Sequence, residues 1–367
     1  MPLHIFVPRW MDERNTNSQN LSARGLLSRF HNPGVHWTSI CSESPAEYIR
    51  QNDVDTIRLS STRWAMLRLA VAYQSNFDGI FYAGPHWGDE LGLRVRRLSR
   101  RSIPVIPTFE GIIADEDEVR HLSDLVGHPV FSEPFADGAI PRLRYIYGEA
   151  KHIIAISPFL VRVAKFLYGD KVSCLPLGVE GHIFHSAGRR EPARCRVVCC
   201  GTVKQRKNPQ IFLRLAGLYK EAEFVWFGDG VMRQPLIAEA KKMALENLRF
   251  PGPILPGPLA EEFRNSSIFV IPSYAEGVPK VTNEAAACGL PIILNGFYEA
   301  TTVVHKHNGL VAWSDEELIE HVGTLIRDPD KRTTMGQRGA EMAKQWDWDL
   351  IAPQWEDLII RQVTQDI

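Results

Sequence analysis

The sequence predicts an α/β protein made of two tandem Rossmann-like domains, each an open parallel sheet with helices on both faces. Three observations lead there. Short apolar runs alternate with amphipathic stretches along the whole chain, which is the β-α-β-α rhythm of a parallel sheet. The rhythm breaks once, at 178–194, where "LPLGVEGHIFHSAGRREPARC" is rich in Gly, Pro, His and Arg and has no periodicity. The length of 367 residues fits two domains of ordinary size rather than one core. Two such sheets in tandem form a cleft between their strand C-termini, where open α/β sheets bind ligands.

In the first half, "HIFV", "VHWTSI", "GIFYA", "IPVIPT", "HIIAIS" and "VSCLPL" read as strands. Helical periodicity falls between them at 20–30, 60–75, 88–101, 115–126, 138–149 and 158–168. After the break, "RVVCCG", "EFVWFG", "LRF", "SIFVIP", "PIIL" and "GLVAW" read as strands. Helices follow at 208–219, 231–245, 258–265, 280–288 and 314–327, and the tail 331–364 is helical with Trp346, Trp348 and Trp355 clustered on it.

Composition is globular, with 44% hydrophobic and 23% charged residues, and the formal net charge of −1 gives no global field for nucleic acid or membrane. The six cysteines sit mostly in strand-like apolar runs and show no C-x2-C pair or Cys/His zinc spacing. They read as reduced structural residues of a cytoplasmic protein. The start "MPLHIFVPRWMDERN" turns charged too early for a signal peptide, and no apolar run approaches the length of a membrane span.

The stretch "EGVPKVTNEAAACGLP" (276–291) concentrates the chemistry. It follows the strand "SIFVIPS" and opens a helix near Lys280. Pro279 suits the first helical position, since it has no N–H to leave unpaired. The free amides near Val278, Lys280 and Val281 make an anion site fitted to a diphosphate. Glu276 precedes the helix and Glu284 lies inside it, so two carboxylates can reach the two ends of one ligand and accept bonds from paired hydroxyls. The plainer reading of the same residues is that carboxylates favour a helix N-terminus electrostatically.

In its full setting the motif resembles the large retaining family of GT-B fold glycosyltransferases with an E-x7-E motif, which includes sucrose synthase and phosphatidylinositol mannosyltransferase. "CCGTVKQRKNP", "WFGDG", "NGFYEATTVVHKHNGLV" and "RDPDKRTTMGQRGAEMAKQWDW" extend the likeness through the second half, and "HIIAISPFLVRVAKFLYGDKVSCLPLGVEGHIF" extends it into the first. The resemblance implies an acceptor-binding domain over 1–178, a nucleotide-sugar-binding domain over 179–345, and a closing helix over 346–367 that packs back on the first domain. It implies that Glu284 holds the ribose hydroxyls, that Glu276 faces the donor sugar and that Lys207 offsets diphosphate charge. Gly201, Thr202 and Arg206 would line the diphosphate, and the base would rest against Gly252, Pro253 and Ile254. Glu299, Asn308, Gly309 and Ser157 also fall on its motifs. No metal and no cofactor is implied beyond the nucleotide-sugar co-substrate.

The sequence departs from the family pattern in three places. Thr202 stands where an Arg is usual, with Lys204 or Arg206 as substitutes. "MDERNTNSQNLS" replaces an N-terminal glycine-rich loop, placing Asn17, Ser18, Gln19 and Asn20 where glycines would stand. Glu110, in "IPVIPTFEG", occupies the place of a His near the acceptor. It reads either as a proton acceptor or acceptor-binding group, or as a sign of altered or lost activity. His86, in "YAGPHWGDE", falls near the acceptor by the same likeness or is an ordinary surface residue. The acidic pairs "DVD", "DED", "DPD" and "DWD" are too frequent to mark metal ligands, and "DPD" and "DWD" read as helix starts or ends, where Asp caps naturally. "LGLRVRRLSRRSIP" carries Arg94, Arg96, Arg97, Arg100 and Arg101 around a Leu stripe. It is either a solvated face or a surface for a phosphorylated acceptor or for anionic lipid at the inner face of a membrane.

The sequence therefore leads to a retaining, metal-independent glycosyltransferase moving a hexose-type sugar from a nucleotide-diphosphate donor, UDP-sugar favoured, to a hydroxyl of a small-molecule, glycan or lipid-linked acceptor. The rival readings are a sugar-nucleotide epimerase or phosphorylase on the same fold, and a non-catalytic sugar-nucleotide binder.

Overall fold

A computed structural model describes residues 2–12, 18–42, 54–59, 64–84, 86–100, 103–132 and 139–365. The chain divides into two units: Met1–Ala114 with Pro134–Gly178 and Trp348–Ile367, and Asp115–Glu133 with Val179–Asp347. The break at 178/179 coincides with the one in the sequence rhythm. The segment Asp115–Glu133, read from sequence as part of a continuous first domain, groups instead with the second unit.

In the first unit, β1 (Leu3–Trp10), β2 (Val35–Cys41), β3 (Asp55–Arg58), β4 (Gly79–Phe81) and β5 (Val105–Ile106) form a sheet in the order β3-β2-β1-β4-β5. A smaller sheet follows, β6 (Thr108–Phe109), β7 (Ile153–Ala155) and β8 (Val172–Cys174), in the order β6-β7-β8. All recorded pairings are parallel. The single strand expected over "IPVIPT" is two, because Pro107 has no N–H to give the ladder and separates β5 from β6. β3 was not anticipated: "DTIR" is an edge strand without an apolar run, so periodicity gives it no signal.

The core of this unit gathers Phe6, Ile40, Leu69, Tyr73, Ile80, Leu93 and Ile146. Helices Ala65–Ala72 and Trp87–Leu98 pack closely, and a Cβ on Gly92 would stand 2.5 Å from the Tyr73 ring. Of the arginines on the second helix, Arg96 turns inward and donates to the Tyr73 and Ser75 carbonyls at 2.5 and 2.8 Å, so it is not part of a solvated face. Arg101 lies outside the described residues. Asp89 is fully buried on the same helix and accepts from the Tyr73 hydroxyl at 2.6 Å and the His86 amide at 3.2 Å. Burial outweighs these bonds and pushes its carboxyl up to about 7.

The helical tail expected over 331–364 is two helices, Pro329–Ala343 and Trp348–Thr364, separated by a short turn at Lys344–Trp346. The first belongs to the second unit and the last to the first unit, so the break marks the passage between them. Trp348 and Trp355 are fully buried in the first unit, and the Trp355 indole donates to the Pro176 carbonyl at 2.9 Å. Glu356 accepts from the His31 and Asn32 amides at 3.1 and 3.0 Å. The closing helix is thus stitched to the first unit.

In the second unit, β9 (Arg196–Cys200), β10 (Glu223–Phe227), β11 (Leu248–Gly252), β12 (Ile268–Ile271), β13 (Ile292–Asn295) and β14 (Gly309–Ala312) form one parallel sheet in the order β11-β10-β9-β12-β13-β14. Its core runs through Val197, Phe212, Phe224, Trp226, Val270, Leu310 and Leu325. The Asp115–Glu133 segment is anchored by His128, whose Nε2 lies 3.0 Å from Glu299 Oε1, and by Phe131, whose ring packs on Tyr274 and Phe297. Asp328, in the pair "DPD" read as a cap, accepts from the Lys331 amide at 2.9 Å, and Asp115, not so read, caps its helix by accepting from the Glu118 amide at 2.9 Å.

Two outcomes follow. Gly25→Ala should raise helix propensity by about 1 kcal/mol, yet its Cβ would stand 2.7 Å from the Trp348 ring. The variant is expected to be less stable than the parent in urea, and a gain in stability would contradict the described packing. For Asp89 the folded carboxyl titrates above its unfolded counterpart, so the folded state holds the extra proton and stability contributed by this group falls as pH rises from about 4 to 7. Asp89→Asn is expected to gain on the parent across that window, by up to roughly 4 kcal/mol, in denaturation midpoints measured from pH 4.5 to 8.

Candidate functional site

The strand order of the second sheet reverses between β9 and β12, the switch point at which open α/β sheets bind ligands. Because all six strands are parallel, their C-termini share one edge. Read across that edge, Gly252, Gly228, Gly201 and the 272–279 loop follow the strand order. The first three are pinned together: the Gly228 amide donates to the Gly252 carbonyl at 2.7 Å, and the Gly201 amide to the Phe227 carbonyl at 2.9 Å. Gly228 sits at φ 129°, and a Cβ there would stand 2.1 Å from the Gly201 carbonyl oxygen, so only glycine serves. Pro253, beyond the Gly252 strand end, is exposed.

After Gly201 the chain passes through exposed Thr202 into a short turn, Gln205–Lys207, closed by Asn208 at φ 51°. Asn208 holds that conformation by donating to Asp315 at 2.9 Å. The turn delivers Arg206 and Lys207 to Glu276, which is 8% exposed. Lys207 Nζ pairs with Glu276 Oε1, and Arg206 lies 3.3 Å from Oε2. Arg206 also donates to the Ala275 carbonyl, while its own carbonyl accepts from the Tyr274 amide at 3.0 Å. Burial raises the Glu276 carboxyl, but Lys207 and then Arg206 outweigh it and hold the group below the usual range. Arg206, not Lys204, is the cation beside Lys207 where the family Arg is replaced by Thr202.

The helix expected at 280–288 spans Lys280–Ala287, and Pro279 is its N-cap rather than its first residue, with φ −65° and ψ 105°. No side chain caps this end and no acidic residue stands in the first turn. The amides of Val278, Lys280 and Val281 lie at this uncapped helix start, where no bond closes within the helix. Glu284 follows one turn later, half-buried, and its carboxylate makes no ion pair or side-chain hydrogen bond among the described residues. Burial raises it, Lys280 pulls it down, and Glu180 adds to the rise, which wins. Cys200, at the end of β9, senses both Glu284 and Lys207, and burial pushes its thiol up to about 12. The structure thus brings Gly201, Arg206, Lys207, Glu276, Lys280 and Glu284 to one sheet edge.

Other sequence-nominated residues take structural parts. Ser157 caps the helix Pro158–Tyr168 by accepting from the Leu160 amide at 3.2 Å. Asn308 is fully buried and bonds Thr302 and Val304 within its own turn. Glu299, at φ 42°, meets His128, a partner that sequence spacing of 171 residues concealed.

In the first unit, Glu110 accepts from the Tyr82 hydroxyl and from Thr108 Oγ1, the latter at 3.1 Å. Tyr82 is buried and takes the left-handed φ of 64°, uncommon for a bulky residue and frequent at working sites. His86 is the N-cap of helix Trp87–Leu98, and desolvation followed by Arg9 and Arg142 holds its ring below the usual histidine value. Sequence reasoning passed over Arg9, because a single Arg in an apolar strand carries no motif. Asn17 and its neighbours 13–16, which stand for the missing glycine loop, lie outside the described residues. Asn20 is buried and accepts from the Trp10 amide at 3.3 Å.

Comparison with known proteins agrees with this geometry. Residues 194–328 match the family described as glycosyl transferases group 1. The alpha-galactosylglucosyldiacylglycerol synthase of Streptococcus pneumoniae is 25% identical over 250 residues, covering 62% of this chain and 66% of the relative. Among solved structures, sucrose-phosphate synthase from Thermosynechococcus elongatus superposes with a TM-score of 0.79 at 18% identity over 100% of both chains. Anabaena Alr3699/HepE, solved with UDP and glucose, superposes with a TM-score of 0.74 at 15% identity over 98% of this chain and 100% of its own. Residues 194–328 are therefore a glycosyl transferases group 1 domain, in a chain whose fold is that of the GT-B glycosyltransferases.

Proposed function

We propose that the protein is a retaining, metal-independent glycosyltransferase that takes a hexose-type sugar from a UDP-sugar held by the second unit and passes it to a hydroxyl acceptor held by the first. The observation that carries this reading is the set of complementary groups on one sheet edge: two cations at Glu276, uncapped helix amides, and an unengaged Glu284 carboxylate. A diphosphate fits the amides of Val278, Lys280 and Val281 together with Arg206 and Lys207. A ribose diol fits Glu284, which has acceptor capacity and no protein donor. The base would lie against Gly252 and Pro253 at the next strand ends. The fold neighbour solved with UDP and glucose supports a uridine donor.

In the reaction we envisage, the acceptor oxygen bonds to the anomeric carbon on the face from which the diphosphate departs. The bond from that carbon to the diphosphate oxygen breaks, and the hydroxyl proton passes to a diphosphate oxygen. No protein nucleophile is needed and the configuration is kept. Arg206 and Lys207 stabilise the charge growing on the leaving group, and Glu276 fixes where those cations stand. Glu110, clasped by Tyr82 and Thr108, would orient the acceptor hydroxyl.

A peripheral membrane contact belongs to the same proposal. Helices Ala65–Ala72 and Trp87–Leu98, with the residues flanking them, expose Trp64, Leu67, Val71, Trp87, Val95 and Leu98. Arg94, Arg97 and Arg100 are exposed beside them. Apolar side chains interspersed with arginines suit anionic lipid headgroups. No helix among the described residues is long and apolar enough to cross a membrane. The relative that makes a diacylglycerol glycolipid supports a lipid-borne acceptor.

In a thermal-shift panel of UDP-, GDP-, ADP- and TDP-sugars, UDP-sugars should raise the melting midpoint by a few degrees, since 100-fold excess over Kd stabilises by about 2.7 kcal/mol. Lys207→Ala should lower kcat about 100-fold, and Glu284→Gln should weaken UDP binding about tenfold by calorimetry. Unchanged UDP affinity in the Glu284 variant, or UDP binding without transfer or donor hydrolysis, would favour the non-catalytic binder instead. For the membrane surface, the Arg97→Gln, Arg100→Gln double variant should float about 30-fold less with phosphatidylglycerol vesicles. Equal flotation of parent and variant would remove lipid contact from the reading.

A further inference from the structure

The first sheet has its own reversal of strand order, between β1 and β4. Arg9 stands at the C-terminal end of β1 and is 5% exposed. Its guanidinium carries five donors and stays charged throughout the physiological pH range. Its Nε is buried with no hydrogen-bond partner among the described residues, and no ion pair of Arg9 is recorded among them. The guanidinium stacks: its carbon lies 4.7 Å from the centroid of the Tyr82 ring.

The neighbouring groups do not neutralise it by contact. Glu110 takes its bonds from Tyr82 and Thr108. Asp89 takes its bonds from Tyr73 and His86. Neither forms an ion pair with Arg9. Gly84, just past β4, keeps the space beside the guanidinium open, since a Cβ there would stand 3.0 Å from one Nη. Arg142, on the helix Ala139–Glu149, adds a second positive charge felt at His86. A buried cation with an unanswered donor is unfavourable unless a counter-charge is supplied, and the place where it is buried is the ligand edge of the sheet.

We propose that Arg9 forms the floor of an oxyanion pocket in the first unit, so that the acceptor is a phosphorylated hydroxyl compound rather than a neutral sugar. The inference rests on the acceptor assignment made above and gives it a substrate class. A phosphomonoester carries about −1.5 to −2 charge at pH 7, which answers the charge of Arg9. It also accepts the bidentate fork of a guanidinium.

Calorimetry on the full chain with inorganic phosphate, glucose and glucose 6-phosphate tests this. The parent should bind glucose 6-phosphate at least tenfold more tightly than glucose. Arg9→Gln should erase that preference, and Arg9→Lys, which keeps charge but not the fork, should restore part of it. Melting curves of both variants separate the effect from unfolding, since a purely structural Arg9 would change stability and not the ratio between the two sugars. Equal affinity of the parent for the two sugars, or an undiminished preference in Arg9→Gln, overturns the proposal. UDP titrated into the same proteins reports on the other unit: its failure to bind the parent would sink the donor assignment and leave the phosphate pocket standing. Phosphatidic acid vesicles, floated with parent and Arg9→Gln, decide the source, because an Arg9-dependent loss of flotation puts the phosphate on a lipid.

Discussion

The second unit is organised around a buried carboxylate between two cations. Glu276 alone would be an expensive charge to hold at this degree of burial. Lys207 and Arg206 make it tolerable, and in doing so they tie together two loops that leave different strands, β9 and β12. The Arg206 guanidinium bond to the Ala275 carbonyl and the Tyr274 amide bond to the Arg206 carbonyl lock the same junction. The glycines at 201, 228 and 252 then bring neighbouring strand ends close to it. Positive charge is thereby concentrated at a fixed place before any ligand arrives, which is the preorganisation that phosphate-group chemistry uses. Removing either partner of such a group leaves an unmatched buried charge.

Much of this was readable without coordinates. The strand of β-branched and aromatic residues, the Pro at the helix boundary and the carboxylates eight apart pointed to the sheet edge where Glu276, Lys280 and Glu284 stand together. Secondary structure was legible wherever an apolar run or a helical stripe was long, and it failed where the signal was local. Pro107 split a strand whose composition looked continuous. β3 lies at an edge, with half-exposed residues that do not alternate. Long-range pairings were invisible in principle: nothing in the spacing of His128 and Glu299 says that they touch, so the 115–133 segment was assigned to the wrong unit.

The departures from the family pattern also resolve unevenly. Thr202 is exposed and makes no claim on the site, while Arg206 supplies a guanidinium from a turn four residues later. A planar guanidinium fork therefore stands beside Lys207 at Glu276. Glu110 is not a stray surface acid either. It is engaged by Tyr82, which has a left-handed backbone and Arg9 stacked on its ring just past β4.

The last of the four passages of the chain between units, at 347/348, has a consequence for biogenesis. The first unit lacks Trp348 and Trp355 until the last helix has been synthesised, and those indoles fill the space beside Gly25, Gly178 and Pro176. The second unit is complete at Asp347. Domains ordinarily mature in the order in which they leave the ribosome. Here the later-made unit has all its parts first, and the earlier-made one must wait with an unfilled interior, so during translation the nascent N-terminal half is the portion that depends on protection by chaperones.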